Sequence, residues 1–340
     1  MVNGYTGGGI TTMTMQTLRI FLFLLFLAPA SVHAASAPSK VIFTFGGLSE
    51  RSGVLFVAAD AGIFRKHGLD AQVVNVRSGP VGMAALASGE TQFHAGSATG
   101  SSIGAMAGGL DLVFIAGLIN KLDGTFMVNP NIKTPAELKG KTIAVQSIGG
   151  GIWMFTMLAF DHWGLNPERD GIKFRVVSDQ AVIAQAIASG LVDGGYLGYT
   201  FGAQLERQGF RMLADLVKLG IPYQGLGIMA RRSLLDRSPD LAEKALRSMV
   251  DSIAFINKPE NKSAVMKSLA KGLRLAKVED AAAGYDMMKV LYDRRIFPNV
   301  EGLRNVINLL GRTNEQIRRV KVEDIIDDRI ARKLEKEGLF

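Results

Sequence analysis

The chain has 340 residues, 48% hydrophobic and 21% charged, the balance of a globular protein large enough for two cores. It contains no cysteine, which excludes disulfide scaffolds, thiolate zinc sites, catalytic thiols and a lipid-modified N-terminal cysteine. A formal net charge of +8 raises nucleic acid or an anionic membrane as partners, but Lys and Arg are interspersed with acids and no basic block interleaves with aromatics. A solvated basic surface is the better reading, with no nucleic-acid partner.

At the N-terminus, Arg19 precedes the apolar run IFLFLLFLA at 20–28, and Val32-His33-Ala34 supplies a small-x-small site. The run is too short to span a bilayer comfortably. Residues 1–34 therefore read as an export signal cleaved near Ala34, with Met15 as an alternative conventional start. An exported, cysteine-free chain fits a periplasmic location.

The first unit opens with KVIFTF at 40–45, a β-rich run ending at Gly46-Gly47. Residues 54–64 are apolar at helical spacing and stop at Gly68. A strand is expected at 71–76, then Ser78-Gly79-Pro80 opens a helix to Ser88-Gly89, with proline where a free N–H is not missed. A short strand at 92–96, a small-residue helix at 97–108 and a strand at 112–117 follow. Residues 95–119 carry one charge, Asp111, but Gly108-Gly109 breaks the run, so a buried helix and strand are expected instead of a membrane span.

The second unit repeats this order. Thr134-Pro135-Ala136-Glu137 forms a capping box, and strand 142–145 leads through SIGGG (147–151) into a helix over 152–163. A strand at 172–177, a helix at 180–189 and a strand at 191–196 complete it. The phrase ALASG at 85–89 returns as AIASG at 186–190, and aligning 40–99 with 141–200 without gaps gives eleven identities in sixty positions. That identity does not prove duplication, but the matching order of elements implies two similarly built βα lobes with parallel sheets. After a strand-like return at 225–230 the chain is almost wholly helical, with amphipathic stretches at 238–256, 262–273, 278–292 and 300–310 expected to pack around the first lobe.

Covalent chemistry finds no support. Gly140-Lys141-Thr142 has Pro135 where a phosphate loop needs glycine, and it enters a strand. His33, His67, His94 and His162 show no metal-ligand spacing, and no nucleophile elbow occurs, so neither metal nor cofactor is expected. The informative feature is a set of small polar loops at strand C-terminal ends: 48–53 (LSERSG), Ser78-Gly79, 97–100 (SATG), 147–151 with Trp153, and 198–200 (GYT). Ligands of open α/β sheets bind beyond these ends, where helix N-termini direct free N–H groups.

The stretches GVLFVAADAGIFRKHGLDAQVVNVRSGP, ALASGETQF and KTPAELKGKTIAVQSIGGGIW resemble the periplasmic substrate-binding proteins of nitrate, sulfonate, taurine and thiamine-precursor ABC transporters. The resemblance implies an α/β, two-lobed type II periplasmic-binding-protein fold, each lobe a mainly parallel sheet flanked by helices, with extra C-terminal helices on lobe one. Lobe one would comprise 40–126 and 226–340 and lobe two 127–225, joined by crossovers near 126–129 and 225–228. By the same resemblance, Ser49, Ser52, Ser78, Ser97 and Thr99 would face the ligand from lobe one. Ser147, Gly150 and Trp153 would close over it from lobe two, with Tyr199, Thr200, Tyr223 and Gln224 at the cleft wall or hinge.

The expected function is capture of a small organic anion, sulfonate or carboxylate, by a monomer that presents it to a membrane permease. Arg51 and Arg77 are candidate charge partners. The alternatives are a thiamine-pyrimidine-like heterocycle as ligand, or a periplasmic sensor without transport. The related thiamine-pyrimidine synthases are cytosolic and depend on histidine and cysteine chemistry; the export signal, the absence of cysteine and the scattered histidines here argue against an enzyme.

Overall fold

The computed structural model describes residues 1–8, 37–76 and 78–340; most of the expected export segment, and Arg77, lie outside the described residues. Pro38–Phe340 is one unit. Its strands, among the described residues, are β1 (Ser39–Gly46), β2 (Leu69–Val76), β3 (Phe93–Gly96), β4 (Leu112–Lys121), β5 (Thr125–Val128), β6 (Thr142–Val145), β7 (Lys173–Val176), β8 (Gly194–Leu197), β9 (Arg211–Asp215) and β10 (Pro222–Arg231). They form two five-stranded sheets, ordered β2-β1-β3-β10-β4 and β7-β6-β8-β5-β9.

The two orders coincide when β1–β4 are matched to β6–β9 and β10 to β5. In each sheet one strand runs against its neighbours: β10 is antiparallel to β3 and β4, and β5 to β8 and β9. These reversed strands are the ones that arrive from the other sheet. The repeated phrase marks equivalent helix ends: helix Gly79–Ser88 stops at Gly89 (φ +86), and helix Gln180–Ala188 stops one residue before Gly190 (φ +72). Both glycines take the left-handed conformation that other residues adopt at a cost.

The chain changes sheet at 122–124 and 216–221, a few residues before the crossovers expected at 126–129 and 225–228. Phe126 and Gly225 already lie inside strands, paired to Tyr196 and flanked by the β4 ladder respectively. Gly124 (φ +94) supplies the first turn. The helix expected over 54–64 is two, Gly53–Asp60 and Ile63–Lys66, because Gly62 (φ +70) interrupts it.

Helices Pro239–Asn257 and Lys262–Leu273 pack on helix Gly53–Asp60, and Ala282–Leu291 packs on Lys262–Leu273, on the turn at 50–52 and on the helix Tyr199–Arg207 that follows β8. Helix Val300–Gly311 differs. It packs on β10 beside the crossover, where Gly302 lies against the Tyr223–Gln224 backbone, and its Leu303, Val306 and Ile307 join a core shared with the second sheet. Strand β4 is buried along Leu112–Ile119 although it ends its sheet, since Ile326 and Asp327 bridge to Phe114 and cover that edge.

Candidate functional site

Strands β1, β3 and β6 all end at one cavity between the lobes, of about 70 Å³. Lobe one supplies Gly46, Gly47, Ser49, Arg51, Ser52, Gly79, Ser97 and Thr99, and lobe two supplies Gln146, Ser147, Gly151, Ile152, Phe155 and Gln180. The lobe tips touch. Gly149 carbonyl accepts from Ser101 N at 3.2 Å and from Ser101 Oγ at 3.1 Å, so the cavity is closed over. Helices Gly79–Ser88 and Gly151–His162 begin at the cavity with no side-chain hydrogen bond capping them, one from each lobe. Uncapped N–H groups at a helix start favour an anion.

The loop after β1 places two adjacent charges, and they go different ways. The Glu50 carboxylate crosses to lobe two, where it accepts from Tyr199 N at 2.7 Å and from Thr200 Oγ1 at 3.0 Å. Arg51 turns to the cavity wall. Its Nη2 donates to the Gly225 carbonyl and, at 3.4 Å, to Ser97 Oγ, while its guanidinium lies 4.4 Å from the Phe155 ring centroid. Its Nε stands 3.4 Å from Asp123 Oδ2, with both side chains nearly fully buried. Arg51 is the only charged side chain in the cavity wall among the described residues, and no carboxylate lines it.

Electrostatics follow burial. Burial opposes the Arg51 charge, but Asp123 and the Tyr196 and Tyr223 oxygens outweigh it and hold Arg51 protonated beyond its ordinary range. For Asp123, burial exceeds the attraction of Arg51 and pushes the carboxyl up to about 6. His94, also in the wall, is driven by burial down to about 4 and is neutral at pH 7. Its Nδ1 sits 2.9 Å from Thr44 Oγ1, and Gly82 and Gly96 leave the ring its space: a Cβ at either would come within 2.7 Å of it. The remaining wall is apolar, from Met83, Ile152, Phe155, Leu226 and Met229.

Of the residues expected from sequence, Ser49, Ser52, Ser97, Thr99 and Ser147 meet at this cavity. Ser78 and Gly150 stand one residue behind it, each preceding a helix whose first residue, Gly79 or Gly151, lines the wall. Trp153 does not face it. The ring lies in a separate hollow of about 530 Å³ with Met157, Leu165, Phe174, Leu309 and Leu310, because Ile152 and Phe155 occupy the cavity-facing side of that helix. Tyr199 turns its hydroxyl to Asp215, Thr200 binds Glu50, Tyr223 donates to the Ala98 carbonyl, and Gln224 joins Asn299 N to the Leu226 carbonyl; none of the four lines the cavity. Sequence reading did not bring out Glu50, Asp123, His94, Gln146, Gln180 or the two methionines. A Glu-Arg pair immediately before an apolar helix was the available signal.

Among the described residues no three His, Asp or Glu side chains are grouped to hold a metal ion, and no helix is long and apolar enough to cross a membrane. Two lobes of matched topology with a closed cavity at their strand ends define the periplasmic-binding-protein fold. Residues 50–262 match the NMT1/THI5-like family model, and the chain belongs to that family. It is similar in structure to the periplasmic aliphatic sulphonate binding protein SsuA of Escherichia coli, at 21% identity and a TM-score of 0.70, covering 85% of this chain and 92% of that one. The periplasmic nitrate-binding protein NrtA of Synechocystis matches at 15% identity and TM-score 0.69, covering 88% and 89%. The desulfurization enzyme DSZB shares the fold at 15% identity and TM-score 0.60, covering 88% and 99%. No curated protein matches by sequence.

Proposed function

We propose that the protein is the solute-binding component of an ABC importer and captures a small organic anion, a sulfonate or carboxylate, between its lobes. The observation that carries this reading is the cavity wall: one buried cation, Arg51, no carboxylate, and six hydroxyl side chains beside two uncapped helix starts. The neutral His94 adds no competing charge at pH 7, and the thioethers of Met83 and Met229 suit a short apolar substituent. The sulphonate- and nitrate-binding proteins of the same fold agree with an anion. Export to the periplasm and delivery to a permease belong to the same proposal.

Calorimetric titration with methanesulfonate, nitrate and acetate, beside the neutral dimethyl sulfone and a neutral aminopyrimidine, tests it. The expected result is binding of at least one anion, none of the sulfone, and a loss of tenfold or more in Arg51→Met. Binding of the neutral compounds in place of the anions would overturn it.

A further inference from the structure

Asp123 lies in the segment between β4 and β5, where the chain first changes lobes. It is fully buried, and neither carboxylate oxygen makes a hydrogen bond; the same is true of Arg51 Nε and the Tyr196 hydroxyl beside it. Buried polar atoms are almost always paired, so four orphans in one cluster need a reason. Tyr196 reaches the cluster only because residue 124 is glycine: a Cβ there would stand 2.7 Å from its hydroxyl.

The ionisable groups facing Asp123 are Arg51, Glu50, Lys121 and the tyrosines 196, 199, 223 and 292. Burial pushes all four tyrosines up, so they are neutral at pH 7. Glu50 is engaged by the Tyr199 and Thr200 donors, and Lys121 Nζ donates to the Val290 carbonyl at 3.0 Å. Arg51, at 3.4 Å, is therefore the one close counter-charge of Asp123 among the described residues, and it is also the one charge in the cavity wall.

An anion in the cavity and the Asp123 carboxylate must then share a single guanidinium. We propose that Asp123 takes up a proton from solvent when an anion enters the cavity, so that the protein captures its ligand as an anion–proton pair. This rests on the anion reading above. Burial already holds the Asp123 carboxyl at about 6 with Arg51 undivided, close enough to neutrality for a second anion to complete its protonation. The binding sign follows: the liganded form holds the proton more tightly than the free form. Anion affinity therefore rises as pH falls from 8 and levels off below about 6, with a limiting slope of about tenfold per pH unit.

Methanesulfonate and nitrate are fully ionised throughout this range, so any proton taken up belongs to the protein. Calorimetry of methanesulfonate at pH 7 in bis-Tris and Tris chloride, whose ionisation enthalpies differ, counts that proton. We expect net uptake approaching one proton per anion, no uptake and pH-independent affinity in Asp123→Asn, and retained uptake in His94→Gln. Folding of each variant is followed by thermal melting, and the pH dependence of the unmodified protein stands without them. Binding with no proton uptake and flat affinity overturns this inference alone. Uptake that persists in Asp123→Asn, or a proton count per bound anion that falls in His94→Gln while the anion still binds, also overturns it. Failure of methanesulfonate, nitrate and acetate all to bind overturns the anion reading, and this inference with it.

Discussion

The carboxylate of Glu50, on the first loop of lobe one, caps the helix that Tyr199 begins in lobe two, with Oε1 accepting from Tyr199 N at 2.7 Å. The contact joins residues 149 positions apart and is fully buried on the Glu50 side. It also depends on Gly198, where a Cβ would stand 2.7 Å from the same oxygen. A charged acceptor at a helix start is favoured by the helix dipole, and its removal leaves buried donors unpaired. Glu50→Gln should lower stability by about 2 kcal/mol, since an amide retains one acceptor and aims its NH₂ at a donor. Gly198→Ala should cost a similar amount, and the two losses should not add, because both break one contact. Urea denaturation of the single and double variants decides this.

Acid titration should show two opposed effects. His94 is lowered from 6.5 to about 4, so the folded protein binds that proton more weakly than the unfolded chain. Its contribution is present above pH 6.5 and is lost as pH falls toward 4. Asp123 is raised from 3.8 to about 6, so its folded form binds the proton more tightly, and stability is recovered as pH falls from 6 toward 3.8. Each is worth roughly 3 kcal/mol. Relative to the unmodified protein, Asp123→Asn should lose stability more steeply between pH 6.5 and 4, and His94→Gln should gain it. Parallel denaturation curves for all three would refute the assignment.

Gly150→Val probes the glycine loop. Gly150 is in the extended region (φ −84, ψ −175), so valine is not strained there, but its Cβ would meet Ser147 Oγ at 2.3 Å. The serine can rotate away from that collision, and in doing so it leaves the cavity wall. Anion affinity should fall at least tenfold with a melting temperature within a few degrees of the unmodified protein.

Trp153→Ala should do the reverse. The indole packs edge-on to Phe174 at 6.5 Å between centroids and touches no part of the cavity. A half-buried ring lost from that hollow should cost about 2 kcal/mol in stability, with anion affinity unchanged by calorimetry.

The order of strands and helices was legible because glycines, prolines and capping residues punctuate alternating and helical patterns, as at Gly89, Pro80 and the Thr134–Glu137 box. The serines and Thr99 at strand ends were legible for the same reason: topology alone puts them at the lobe faces. Trp153 was not, since its neighbours Ile152 and Phe155 share one face of the helix and a rotation of about 100° per residue turns it away. Glu50 and Asp123 were hidden by distance in the chain. Glu50 meets its partners 149 and 150 positions on, and Asp123 finds Arg51 only when the first crossover folds behind the cavity. The Glu-Arg pair in LSERSG marks two charges before an apolar helix, but neither it nor KLDG names the distant partner.

An anion bound to both lobes favours the closed state by its added contacts and by nothing else. The Gly149 carbonyl meets Ser101 at the lobe tips, and the chain passes between the sheets only at 122–124 and 216–221, the segments about which the lobes would turn. Small-angle X-ray scattering of the purified protein with and without saturating methanesulfonate tests this most directly. A smaller radius of gyration is expected with the anion, and no contraction in Arg51→Met. Superimposable profiles, under conditions where calorimetry reports binding, would contradict it.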